Sequence, residues 1–146
     1  MKFISLITLQ VLLCTSVNSF GIGIQQSAGV KGILLCNGKP VGNVKVKLYD
    51  DDSGIDTDDL LSEGKSDSLG RFALAGYAYE FGTIDPKVNI YHDCNDEIMP
   101  CQRKMTVYIP KKYVSNGETP EKYYDAGSIE LAGELKGEER DCIHRA

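Results

Sequence analysis

The chain has no tryptophan and only two histidines in 146 residues. A centre built from several imidazoles is therefore excluded, whether for zinc or for general base chemistry. Basic residues are also scarce, with 16 Lys and Arg against 21 Asp and Glu, for a net charge of −5. Binding a phosphate backbone requires a positive footprint, so nucleic acid is not an expected partner. After Phe20 no run approaches the roughly 20 consecutive apolar residues that a membrane-spanning helix needs. No serine elbow and no other spacing of nucleophile and base occurs either, which argues against hydrolytic catalysis.

The one long apolar run lies at the start. Lys2 precedes the mostly apolar stretch Phe3–Val17, and small residues stand at the last and third-last positions before Phe20. These are the parts of a secretory signal peptide, residues 1–19, with cleavage expected after Ser19. Residues 20–146 are then one domain's length of secreted, extracellular chain, divided into an N-terminal extension 20–27, a domain 28–142 and a tail 143–146. Loss of Lys2 lowers the net charge to −6.

Cysteine usage fits that compartment. Cys14 leaves with the signal, and Cys36, Cys94, Cys101 and Cys142 remain as an even set. In an oxidising compartment these form disulfides, with three pairings open. Cys94–Cys101 is expected to close the short segment around Met99-Pro100, and Cys36–Cys142 to tie the tail to the first strand. Zinc is disfavoured because Cys36 and Cys142 stand singly, without the close ligand pairs of zinc ribbons.

The body of the chain reads as strands. Val44, Val46 and Leu48 alternate with Lys45, Lys47 and Tyr49, the period of a strand with one buried face. Val30–Cys36, Leu61–Ser66, Arg71–Ala75, Lys87–His92, Lys104–Ile109 and Tyr123–Leu131 complete a set of seven. Turn residues separate them, with Asn37-Gly38-Lys39-Pro40 after the first and Asp67-Ser68-Leu69-Gly70 joining the third and fourth as a hairpin. Seven such strands imply an all-β, two-sheet sandwich.

Several blocks, in order, resemble the nematode transthyretin-like family of secreted domains. They are Leu35-Cys36-Asn37-Gly38-Lys39-Pro40, Lys47-Leu48-Tyr49-Asp50-Asp51-Asp52, Asp58-Asp59-Leu60-Leu61 and Thr83-Ile84-Asp85-Pro86. Ile90-Tyr91-His92-Asp93-Cys94-Asn95-Asp96, Pro100-Cys101-Gln102-Arg103-Lys104 and Arg140-Asp141-Cys142 follow, so the likeness runs from Val30 to about Cys142. The resemblance implies a transthyretin (prealbumin)-like Greek-key β-sandwich with one short helix near Tyr77–Thr83, where the residues themselves read as a loop. It further implies an extracellular binding role, which for some members is recognition of phosphatidylserine on dying cells as a bridging ligand. Fold alone does not fix function, and two other uses of the fold stand as alternatives. One is carriage of a small hydrophobic ligand. The other is hydrolysis of the kind performed by 5-hydroxyisourate hydrolase, against which the tail Cys142-Ile143-His144-Arg145-Ala146 argues by lacking that enzyme's Tyr-Arg-Gly-Ser ending.

No catalytic residue and no cofactor is expected. His92, at the end of a strand, is expected to hydrogen-bond locally. The compact basic set Arg103, Lys104, Lys111 and Lys112 is the candidate patch for an anionic lipid surface, although alternation sends Arg103 to the opposite face from Lys104. The acidic loop Asp50–Asp59 is a weak calcium candidate through Asp50, Asp52, Asp56 and Asp58, since Ca2+ favours several carboxylate oxygens. Its spacing departs from the helix-loop-helix calcium pattern, and a solvated connection explains it as well. The expected partners are an extracellular protein or an anionic lipid surface, with homodimerisation through edge-strand tyrosines and valines as an open alternative.

Overall fold

The computed structural model describes residues 23–52 and 57–143. The signal segment, Asp56 and His144 lie outside the described residues. The described residues form ten strands: β1 (Ile24–Cys36), β2 (Lys39–Pro40), β3 (Lys45–Asp50), β4 (Asp59–Lys65), β5 (Arg71–Glu80), β6 (Pro86–His92), β7 (Gln102–Tyr108), β8 (Ser115–Asn116), β9 (Tyr124–Glu130) and β10 (Glu139–Asp141). The seven long ones correspond to the seven expected from alternation, and β2, β8 and β10 are two- or three-residue additions. One sheet has β1 at its centre, with β5 and β2 along one side of it and β8 and β9 along the other. The second runs β10-β7-β6-β3-β4. All pairs are antiparallel except β1 with β9.

The two inner faces close on one core. Val30 and Leu34 of β1, Phe72 and Leu74 of β5 and Ile129 of β9 meet Val46 and Leu48 of β3, Val88 and Ile90 of β6 and Met105 of β7. Each is at alternate positions of its strand, as half-buried strands require. Burying one such aliphatic side chain contributes about 1.5–3 kcal/mol.

Three expectations are corrected here. First, β4 and β5 are no hairpin: β4 pairs with β3 in one sheet and β5 with β1 in the other, so residues 66–70 turn a corner between layers. The corner is fixed by Asp67, whose carboxylate accepts from the backbone N–H of Leu69 and Arg71 at 2.9 Å each. Ser66 spans it from the buried side, its hydroxyl accepting from Val44 N–H and donating to the Val41 carbonyl. Second, Tyr77–Thr83 holds no helix. β5 continues to Glu80, because Tyr77–Glu80 pair with Ile24–Ser27. Third, those same residues join the first strand, so the boundary drawn at 27/28 falls inside β1. Helical structure among the described residues is a single 3-10 turn, Lys111–Tyr113.

The turn Asn37-Gly38 is a two-residue hairpin connection with both φ values positive, 53° and 75°, the geometry for which Asn-Gly is best suited. Its exposed N–H groups are taken by Glu130, whose carboxylate accepts from Asn37 and Gly38 at 2.8 Å each.

Candidate functional site: the disulfide-framed end

Cys36, the last residue of β1, is bonded to Cys94, two residues beyond β6; Cys101, just before β7, is bonded to Cys142, just after β10. The expected pairing, Cys94–Cys101 with Cys36–Cys142, is thereby corrected. Strand register is the reason. Gln102 of β7 lies opposite Asp141 of β10, which sets Cys101 beside Cys142 with Cα atoms 4.5 Å apart. Cys94 meets Cys36 across the sandwich at 5.8 Å. The tail closes on β7, not on β1.

The segment between Cys94 and Cys101 is thus held at both ends, and further side chains clamp it. Asn37 and Asn95 exchange amide hydrogen bonds of 2.8 and 3.0 Å. Arg140 donates to both carboxylate oxygens of Asp96, at 2.6 and 2.8 Å, and to the Cys101 carbonyl. That fork holds the Asp96 carboxyl below the usual range. Beneath it, buried Arg103 donates to the carbonyls of Cys94 and Gly133 and makes a two-pronged ion pair with Glu138. The guanidinium lowers the Glu138 pKa. His92 is buried beside Arg103, its Nδ1 accepting from Cys94 N–H at 3.1 Å. Burial is the main reason its pKa is lowered, with the Arg103 charge adding to it. Each of these side chains therefore serves to hold the loop.

Upon this frame two apolar side chains stand in solvent. Ile98 is 97% exposed and Met99 48% exposed, and Ile143, next to the Cys142 anchor, is 87% exposed. Asp93 and Glu97 flank them, both outward-facing. Alongside lies a recess of about 370 Å3 lined by Asn37, Asn43, Tyr91, His92, the Cys36–Cys94 bridge and Leu131.

The proposed basic patch is not brought together. Arg103 points inward, as alternation required, and Lys104 is ion-paired with Glu139 at 2.8 Å. Lys111 lies beyond the far end of β7, in the 3-10 turn, and pairs with Asp85 at 3.0 Å. Lys112 and Lys122 approach the ring of Tyr113 at 5.5 and 4.9 Å. The described calcium candidates stay near one another but take different partners, with Asp58 accepting from Asp52 N–H at 3.2 Å. Asp58 pairs with Lys87 at 2.6 Å, whereas Asp50 and Asp52 gather with Glu80 at the end of the sandwich away from the disulfides.

A family model described as the transthyretin-like family matches residues 31–110. Transthyretin-like protein 5 of Caenorhabditis elegans is 56% identical over 135 residues, covering 92% of this chain and 97% of its own length. Transthyretin-like protein 33 of the same nematode is 58% identical over 120 residues, covering 82% and 84%. Transthyretin-like protein 2 is 45% identical over 139 residues, covering 92% and 94%. The chain belongs to the transthyretin-like family.

In this transthyretin-like chain, sequence reasoning missed the partners more than the participants. Arg140 and Glu138 lie beyond the last strand expected from the sequence, yet their spacing on either side of Glu139 is that of a strand laying alternate residues on one face. Glu80 was missed because it sat in the expected helix. Lys122, ten residues from Lys112, carried no local signal.

Proposed function

We propose that this transthyretin-like protein is a secreted, non-catalytic recognition module that contacts a cell-surface protein through the disulfide-framed loop Asn95–Met99. One observation carries the reading: a loop clamped by two disulfides, an amide pair and an Arg–carboxylate fork nevertheless leaves Ile98 97% exposed. A loop already held at its ends loses less backbone conformational entropy on binding, which is how a small contact gains affinity. The acidic rim, Asp93 and Glu97, fits a partner that offers an apolar pocket edged by basic residues. An anionic bilayer is the poorer match, because the net charge is −5 and Lys104 and Lys111 are each engaged by a carboxylate. The arrangement of Lys112 and Lys122 around Tyr113 is what favours lipid head groups as a second reading.

The test is binding of labelled mature protein to intact cells before and after protease shaving, beside vesicles with and without phosphatidylserine. Loss of binding on shaving, with no vesicle binding, is the expected result. Binding that survives shaving and follows phosphatidylserine content transfers the function to the lysines. No binding to either surface removes the recognition role at cells.

A further inference from the structure

We propose that Asp50, Asp52 and Glu80 form a binding site for a hard divalent cation, Ca2+ above all, at the end of the sandwich opposite the disulfides. This stands independently of the recognition loop, which lies at the other end.

The three carboxylates each offer an oxygen within 4.8 Å of the others. Ca2+ binds oxygens at 2.3–2.6 Å, so ligand oxygens on opposite sides of one ion stand about 5 Å apart, and the three fit around a single cation. They arrive from both layers. Asp50 is the inward-facing last residue of β3, Glu80 ends β5 in the other sheet, and Asp52 is the second residue of the loop after β3. A shared ion would close the sandwich at this end.

A second observation is the Asp50 side chain itself. The residue is 2% exposed, and while its Oδ1 accepts from Asp85 N–H at 2.8 Å, its Oδ2 has no hydrogen-bond partner. Leaving a buried acceptor unpaired costs about 1–3 kcal/mol, and more for a charged one, so buried polar atoms are nearly always matched. The unmatched atom sits in the residue shared with the acidic group. Burial above all, with the charges of Asp52, Glu80 and Asp85 beside it, pushes the Asp50 carboxyl up to about 6. That environment is what a cation relieves.

The surroundings hold these ligands in place by other means. Gln26, buried, donates to the carbonyls of Glu80 and Gly82 and accepts from Ile84 N–H, which fixes the chain as it leaves β5. Asp58 accepts from Asp52 N–H at 3.2 Å while paired with Lys87. The nearby cation Lys111 is directed to Asp85. An all-oxygen donor set with one member on a loop suits the flexible shell of Ca2+ better than the strict octahedron of Mg2+, and it lacks the nitrogen and sulfur ligands zinc prefers.

The test is calorimetric titration of the chelator-treated mature protein with CaCl2, and in parallel with MgCl2, on wild type, D52N and E80Q. The melting temperature is recorded with and without Ca2+. Saturable one-to-one Ca2+ binding is expected, with a rise in melting temperature that falls away in both variants. Extracellular calcium modules bind at about 0.1–1 mM, so titration to about 10 mM covers the range, and each substitution is expected to weaken binding about tenfold or more. D50N, which retains the oxygen that accepts from Asp85 N–H, is a third variant. Should it fail to fold, D52N and E80Q decide. Absence of saturable binding in the wild type overturns the proposal, and so does an affinity unchanged in D52N and E80Q.

Discussion

At the scale of single residues, the frame of the recognition loop depends on Arg103. Its side chain is 6% exposed and that of its partner Glu138 12%, so the pair is shielded from solvent. Removing one member of a buried ion pair leaves the other uncompensated, and E138Q is expected to lose about 3–5 kcal/mol in a denaturant titration. The Arg103–Glu138 bond also sets a sign for acid. Because the native Glu138 pKa is depressed, its stabilisation is present above the unfolded value near 4.5 and is lost as pH falls through the lower native value. His92 acts at higher pH. Its native pKa lies below 6.5, so as pH drops beneath 6.5 the unfolded chain takes up a proton that the buried ring refuses, and stability declines. The groups facing it are Arg103, Glu138, Asp93 and Asp96. Comparing wild type with H92N isolates this step from Asp50, whose raised pKa works in the opposite direction. The difference in stability between the two proteins is expected to be flat above 6.5 and to shift against the wild type below it. A difference independent of pH would contradict a neutral native His92. At this scale the sequence showed which way Arg103 faces, through period-two alternation, but its partner lies 35 residues away, beyond the last strand the sequence led one to expect.

At the scale of elements, alternation located all seven long strands but could not say which sheet each joins. The β4–β5 connection shows why. A four-residue turn between two short strand segments has the sequence of a hairpin, and only tertiary packing decides that it steps between layers. Gly70 marks the step, with φ of +74° and its Cα facing the Leu34 carbonyl so closely that a Cβ would collide with it. G70A is expected to cost more than the roughly 1–2 kcal/mol of left-handed backbone strain alone. G117A, at φ +91° with open space around it, is the comparison that carries the backbone cost only. Equal losses in thermal unfolding would show that close approach at the corner contributes nothing. The disulfides were legible as a pair of bridges and illegible in connectivity, since spacing favoured the short Cys94–Cys101 loop and register chose otherwise. Chain-entropy estimates for loops of 58 and 41 residues give about 4 kcal/mol for each bridge. Cleavage of the unreduced protein after Met99 separates Cys94 from Cys101, and mass spectrometry is then expected to find Cys36 joined to Cys94 and Cys101 to Cys142. A peptide joining Cys36 to Cys142 would contradict the register of β7 with β10.

At the scale of the whole molecule, the two ends of one sandwich carry different chemistry. One end is drawn together by two disulfides and displays apolar side chains; the other gathers carboxylates around a buried, unmatched oxygen. The strands between them keep these features apart, which is why charged residues close in sequence, Lys104 and Lys111, fall at opposite ends. The fold and family were legible because many short blocks occur in order. The site was not, because it is assembled from Cys36, residues 93–101 and residues 138–143, which only the folded chain brings together. The central claim is that recognition resides in the disulfide-framed loop. Its most direct test is cell-surface binding of I98D beside K112E, both at exposed positions where folding is expected to change by no more than about 0.5 kcal/mol. I98D is expected to lose binding about tenfold or more, as removal of a central apolar anchor does, with K112E close to wild type. Full binding by I98D, with loss in K112E, would contradict the claim and place recognition on the lysines at the opposite end.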